Sequence, residues 1–171
     1  MTLRKIEEQD LELMLSWRNH PAVRKSMFSQ TIVELDHHLA WFQRESAKDT
    51  SLWFIYVDSQ KQSAGIVYFT DINRNSRNAF WGFYAAPEAE RGTGTNMARE
   101  ALNYFFRILK LHKLSAEVLA SNERSQRFHL KLGFQLEGVF RDAYWGENRF
   151  QNVLRFGLMD SEWQAYLDSY D

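Results

Sequence analysis

The chain has 171 residues, a net charge of −1 with basic and acidic residues interspersed, and no cysteine. That excludes the broad positive field of a nucleic-acid binder, a disulfide scaffold, a thiolate metal site and a cysteine nucleophile. An apolar content of 44% and an aromatic content of 15% supply a sizeable core, with flat side chains left over to line a ligand pocket.

The opening Met-Thr-Leu-Arg-Lys-Ile lacks the apolar core of a signal peptide, and no run approaches the ~20 apolar residues of a membrane span. A cytoplasmic protein with neither a membrane nor a nucleic-acid partner is expected, built as one domain over residues 1–171. Leu11, Leu15 and Trp17 predict a short helix ending near Arg18-Asn19-His20-Pro21, because proline disfavours helical backbone in the residue before it. A loop follows through Met27 and Phe28. Thr31 and Glu34 have capping-box spacing, and Leu35, Leu39 and Phe42 recur at i, i+4 and i+7, which predicts an amphipathic helix with His38 and Trp41 on its neighbouring face.

Aromatic and β-branched runs at 52–57, 65–70 and 79–84 predict a three-stranded antiparallel meander. Beyond Ala85-Ala86-Pro87, the positions Met97, Ala101, Tyr104, Phe105, Ile108 and Leu109 fall on one helical face. Residues 113–119 read as a strand, Asn122 as the N-cap of a helix that Gly133 closes, and 134–144 with 150–159 as two strands turning at Gly146-Glu147-Asn148. Asp160-Ser161 opens a last helix.

Between the meander and the long amphipathic helix lies Arg91-Gly92-Thr93-Gly94-Thr95. Two glycines let backbone approach a ligand, and a helix's first turn offers unpaired N–H groups at the positive end of its dipole, so this turn suits a phosphate or pyrophosphate. A dinucleotide fold wants a third glycine where Met97 stands, and a Walker loop wants Gly-Lys-Ser/Thr, which is absent.

The turn resembles motif A of the GNAT superfamily of N-acetyltransferases, Gln/Arg-x-x-Gly-x-Gly/Ala, running here Arg91-x-x-Gly94-x-Asn96, with Asn96 in place of a small residue. A second segment, Asn122-Glu123-Arg124-Ser125 through Phe128-His129-Leu130-Lys131 to Gly133-Phe134, is similar to the family's Asn-x-x-Ala/Ser and Tyr-x-Lys-x-Gly-Phe signature. With both motifs in order, the resemblance covers about the whole chain. It implies an α/β fold, a splayed mixed sheet of about seven strands flanked by helices, and acetyl-CoA as acetyl donor. Main-chain groups of Phe83, Tyr84 and Ala85 would bond the pantetheine. Arg91, Gly92, Thr93, Gly94, Thr95 and Asn96 would hold the pyrophosphate. Asn122, Ser125, Phe128, His129 and Lys131 would meet the cofactor from the next helix. His129 stands where the family has the tyrosine assigned as proton donor to the leaving thiolate, and is the expected acid or else a helix-surface residue.

An amine is protonated at neutral pH, so attack on a thioester requires a base. Glu117, a charged residue within a predicted strand between the two motifs, is the candidate; otherwise it faces solvent or pairs with Lys113 or Lys131. For the acceptor, Trp17-Arg18-Asn19-His20-Pro21, Met27-Phe28, His38-Leu39-Ala40-Trp41 and Phe80-Trp81-Gly82-Phe83-Tyr84 resemble the acetyltransferases of the pseudaminic acid pathway. By position, Met27, Phe28, Trp41, Phe80 and Tyr84 would form an aromatic wall with His38 beside it, and Arg18 would meet the diphosphate of a nucleotide-linked amino sugar. Ribosomal-protein N-terminal acetylation and a non-catalytic acyl-CoA sensor remain competing functions. No metal is expected, since His37 and His38 are adjacent and so point in different directions from a helix, and His20, His112 and His129 lack ligand spacing. Strands at the tail can pair between subunits, which leaves a homodimer open.

Overall fold

The computed structural model describes residues 2–169. In chain order the elements are β1 (Thr2–Lys5), α1 (Leu11–Asn19), α2 (Pro21–Arg24), α3 (Leu35–Ser46), β2 (Leu52–Val57), β3 (Ser63–Asn73), β4 (Asn78–Ala85) and α4 (Thr93–Asn103). Then come β5 (Lys113–Leu119), α5 (Glu123–Lys131), β6 (Gln135–Gly146), β7 (Arg149–Met159) and α6 (Asp160–Asp168). The strands form one mixed seven-stranded sheet of order β1-β2-β3-β4-β5-β7-β6, the α/β architecture that the resemblance implied. The chain divides into two compact units, and β4 contributes to both.

Unit 1 comprises Met1–Ile72 and Trp81–Tyr104. β2 pairs antiparallel with β1 and with β3, bringing Ile55 opposite Ile66. These two side chains pack with Met14 and Trp17 of α1, and Trp41, Trp53, Tyr68 and Tyr84 close over them half-buried. Two features differ from expectation. β1 was not anticipated, because four residues with alternating polarity are too few to show a period. And α3 begins at Leu35 with Glu34 at its N-cap, one turn later than the Thr31 spacing implied. Consequently His38, not Leu35, is its fully buried residue, while Leu35 is exposed.

Unit 2 comprises Asn73–Phe80 and Phe105–Asp171. The start of β4 pairs parallel with β5, from Asn78 opposite Lys113 to Phe80 opposite Ser115. β5 runs antiparallel to β7, which runs antiparallel to β6. Consecutive left-handed residues, Glu147 and Asn148, make the β6–β7 turn, where asparagine tolerates positive φ. Asn122 caps α5 through its side chain and Gly133 follows the helix at φ 91°, both as predicted. The stripe that ran on to Ile108 does not stay buried: a π-helical turn over Tyr104–Ile108 inserts extra rotation, leaving Ile108 on the surface. No helix among the described residues is long and apolar enough to cross a membrane.

Candidate active site

The glycine-containing turn lies in unit 1. Gly92 sits at φ 99° as the N-cap of α4, a backbone that a side chain rarely tolerates, and its carbonyl accepts from the N–H groups of Thr95 (2.9 Å) and Asn96 (3.1 Å). Gly94 has no such constraint: a Cβ there would meet nothing within 4 Å. Its bareness therefore serves no internal packing, and it suits close approach of a ligand to the first turn of the helix. Thr93 is buried, Thr95 half-buried, and Arg91 and Asn96 are exposed beside the turn. Gly65 lets α4 pack closely, since a Cβ at that position would stand 2.7 Å from the Met97 sulfur and 2.8 Å from the Tyr84 carbonyl. Phe83, Tyr84 and Ala85 are all half-buried along β4.

Unit 1 also holds most of the expected acceptor residues. Arg18 stands in the last turn of α1 and donates from Nη2 to the Ser29 carbonyl at 2.6 Å, while its Nη1 is buried without a partner. The neighbouring Asn19 exchanges two bonds with Val33, at 2.8 and 2.9 Å, so the loop bearing half-buried Met27 and exposed Phe28 is pinned at two points. His38 stacks on Trp41 (5.1 Å, 11°), Trp41 meets Trp53 edge-on (4.6 Å), and Trp53 stacks on Tyr68 (4.1 Å, 19°). Tyr68 lies on bare backbone: a Cβ at Gly82 would come within 2.1 Å of its hydroxyl, so only glycine there admits the phenol.

Burial pushes the Tyr68 and Tyr84 hydroxyls well above their ordinary range, keeping both protonated. Burial lowers the His38 pKa and, with the Arg18 charge nearby, favours the neutral imidazole. Burial also lowers Arg18; the groups that offset or add to this are Tyr84, Tyr68 and Arg24, and none is a carboxylate. Trp53 and Tyr68 were not foreseen as site residues. Their signal lay in β3, where Tyr68 is half-buried within a run of buried neighbours, and in the glycine on β4 that accommodates it.

The remaining candidates lie in unit 2. Asn122 accepts from the Ser125 N–H at 3.1 Å, which commits its side chain to capping α5. His129 is only 3% exposed, stacks on Phe156 (5.6 Å, 19°) and lies edge-on to Phe134. Its Nδ1 stands 2.8 Å from the Ser125 carbonyl. A carbonyl only accepts, so Nδ1 carries the proton and Nε2 of the neutral ring carries none. Burial lowers the pKa further toward that neutral form. This corrects the alternative of His129 as a helix-surface residue: it is a core histidine held through Nδ1 by the Ser125 carbonyl. Phe128 is half-buried and Lys131 exposed on the same helix.

Glu117 does not pair with Lys113 or Lys131. Its Oε1 accepts from Arg155 Nε at 3.1 Å and Nη2 at 2.5 Å. Lys113 is bonded instead to Glu137, at 2.6 Å. Phe80, expected on the acceptor wall, lies under the Arg155 guanidinium, 4.5 Å from centroid to Cζ. Among the described residues no group of three His, Cys, Asp or Glu side chains is placed to hold a metal.

A bare glycine turn opening a helix after a β-meander, followed by a strand and a second capped helix, defines a class. Residues 1–135 match the family described as Acetyltransferase (GNAT) domain, and the chain belongs to that family. It is an acetyl-CoA-dependent N-acetyltransferase. It is 26% identical over 164 residues to the spermidine N(1)-acetyltransferase of Vibrio cholerae, covering 95% of each chain. It is 27% identical over 140 residues to the acetyltransferase PseH of Campylobacter jejuni, covering 82% of this chain and 86% of that one. The crystal structure of the Vibrio cholerae spermidine N-acetyltransferase with CoA and spermine is similar at a TM-score of 0.89 and 26% identity, over 95% of this chain and 97% of that one.

Proposed function

We propose that this enzyme transfers the acetyl group of acetyl-CoA to the 4-amino group of a UDP-linked 4-amino-4,6-dideoxy sugar, in the cytoplasm and in a pathway of the pseudaminic acid type. The observation that carries this reading is Arg18: a half-buried guanidinium with a free Nη1, close enough to two protonated tyrosines to feel them. A guanidinium suits a diphosphate, and the rings of Trp41, Trp53 and Tyr68 suit a base and a deoxy sugar. The similarity to PseH agrees with it.

A second reading, a polyamine acceptor, is favoured by the likeness to the spermidine acetyltransferases over 95% of the chain. Charge weighs against it, because a polycation near Arg18 meets repulsion from the guanidinium.

In the proposed reaction the acetyl donor lies along Phe83–Ala85 with its pyrophosphate at Arg91–Asn96. The sugar ammonium first loses one proton to solvent, the neutral amine attacks directly, the new C–N bond forms as the C–S bond breaks, and Glu117 takes the second proton that nitrogen loses. A thiol of ordinary pKa, about 8.5, leaves as thiolate without a dedicated protein acid. Thiol release from acetyl-CoA with the UDP-linked amino sugar, spermidine and N-terminal peptides as separate acceptors tests the assignment. Turnover with the sugar alone is expected. Turnover with spermidine or peptides alone overturns the acceptor, and acetyl-CoA binding without any turnover means a sensor.

A further inference from the structure

Glu117 on β5 stands in register opposite Arg155 on β7. An Arg–carboxylate pair commonly spreads its two N–H groups over both oxygens. Here both bonds, 3.1 Å from Nε and 2.5 Å from Nη2, end on the one oxygen Oε1. Oε2 is left without a partner among the described residues.

The arginine is itself held. Its Cζ lies 4.5 Å from the ring centroid of Phe80 on β4 and 5.2 Å from that of Phe140 on β6. In the strand order of the sheet, β4 lies on one side of the β5–β7 pair and β6 on the other. A half-exposed ion pair alone contributes little and exchanges its oxygens freely. Two aromatic faces on the guanidinium add cation–π attraction and fix its plane, which turns a loose pair into a set geometry.

We propose that Arg155 is a positioning residue for acetyl transfer: clamped by Phe80 and Phe140, it ties down Oε1 of Glu117 and presents Oε2 to the amine. The inference rests on Glu117 being the base. As the C–N bond forms, one N–H proton passes to Oε2, and the electron pair of the C–S bond leaves with sulfur. A proton on a nitrogen undergoing acylation is far more acidic than one on a free ammonium, so the placement of the accepting oxygen matters more than its basicity. A pre-set oxygen removes the ordering that a rotating carboxylate has to undergo at each turnover.

The test compares E117Q, R155M, R155K and the double variant E117Q/R155M by thiol release, with whichever of the UDP-linked sugar and spermidine turns over. E117Q is expected to lose about 100-fold or more in kcat. R155M is expected to lose about 10- to 100-fold in kcat with the acceptor KM nearly unchanged. Ethylguanidinium in the buffer should restore part of that loss, R155K should recover little, and R155M should cost nothing further on top of E117Q. An equal loss in both backgrounds, or a loss confined to KM, overturns the role of Arg155. An E117Q enzyme as active as its parent overturns Glu117 as the base, a result that the single variant reports by itself. Where R155M fails to melt cooperatively, F140L keeps the arginine and removes one aromatic face. A loss of a few-fold in kcat that vanishes in the E117Q background supports the proposal, and an unchanged kcat overturns it.

Discussion

In unit 1, Arg18 keeps Nη1 buried without a partner, whereas in unit 2 the Asn122 side chain, Nδ1 of His129 and Oε1 of Glu117 are each bonded to a neighbour in their own unit. An unpaired buried polar group costs about 1–3 kcal/mol, so a fold retains one where something else completes it. The bonded groups of unit 2 fix a helix start, a ring and one oxygen of a carboxylate in place. In the reading proposed above, the residues of unit 1 serve to recognise the acceptor, and those of unit 2 are the ones whose geometry is fixed. Substitutions that separate binding from turnover break or sharpen this division.

The largest effect is expected at Arg18. R18M keeps the aliphatic stem and removes the charge, and a charge-assisted bond to phosphate contributes about 1.5–3 kcal/mol. The KM for the UDP-linked sugar should rise about 10- to 100-fold, with the KM for acetyl-CoA and kcat little changed. If steady-state kinetics show R18M losing kcat instead, the division between the units fails. A gain in spermidine turnover by R18M would move the acceptor to a polyamine.

Next comes Gly82. An alanine Cβ would sit 2.1–2.6 Å from the hydroxyl oxygen and two ring carbons of Tyr68, which Trp53 holds from stacking distance. Overpacking of this kind costs about 1–3 kcal/mol. G82A should lower Tm by several degrees and weaken sugar binding more than acetyl-CoA binding, as thermal melts with each ligand would show. A G82A enzyme with parental acceptor KM would mean that Tyr68 is only core.

Much of this arrangement was legible in the sequence, for physical reasons that differ by element. The meander, α4, β5 and α5 announce themselves because period, cap and stop agree: Asn122 caps and Gly133 terminates as their chemistry requires. Thr31 and Glu34 have the spacing of a capping box, but α3 takes Glu34 itself as its N-cap and begins at Leu35. The turn at Gly92 is readable because its backbone conformation, at φ 99°, favours glycine. The partners of Glu117 and Phe80 were not, since Arg155 lies 38 residues beyond Glu117 and meets it only through sheet register. Tyr68 escaped notice because its role depends on a glycine on another strand.

A smaller effect is expected at Gly92. Its φ of 99° costs a β-carbon about 1–2 kcal/mol, so G92A should weaken acetyl-CoA binding severalfold with the sugar KM unchanged. Isothermal titration with CoA measures it. Parental affinity in G92A would remove this turn from the pyrophosphate site.

The smallest effect at neutral pH, and the one that bears most directly on chemistry, belongs to His129. Burial lowers its pKa in the folded chain, while the unfolded chain binds a proton near the ordinary value of about 6.5. Below that pH the unfolded state holds more protons than the folded one, so stability present above pH 6.5 is lost as pH falls through the folded pKa. For a single proton the slope is at most about 1.4 kcal/mol per pH unit. His38, also buried and neutral, contributes in the same direction, so the parent should lose stability from pH 7 to 5 and H129Q should lose less over that range. Chemical denaturation at each pH measures both slopes, and the comparison of slopes is independent of how much the substitution destabilises the core at neutral pH. A parental slope in H129Q would mean that the folded imidazole protonates as readily as the unfolded one. Nε2 would then carry a proton at neutral pH often enough to donate it, and His129 would return as the acid for the leaving thiolate, joining Glu117 in the unit that sets the geometry of the reaction.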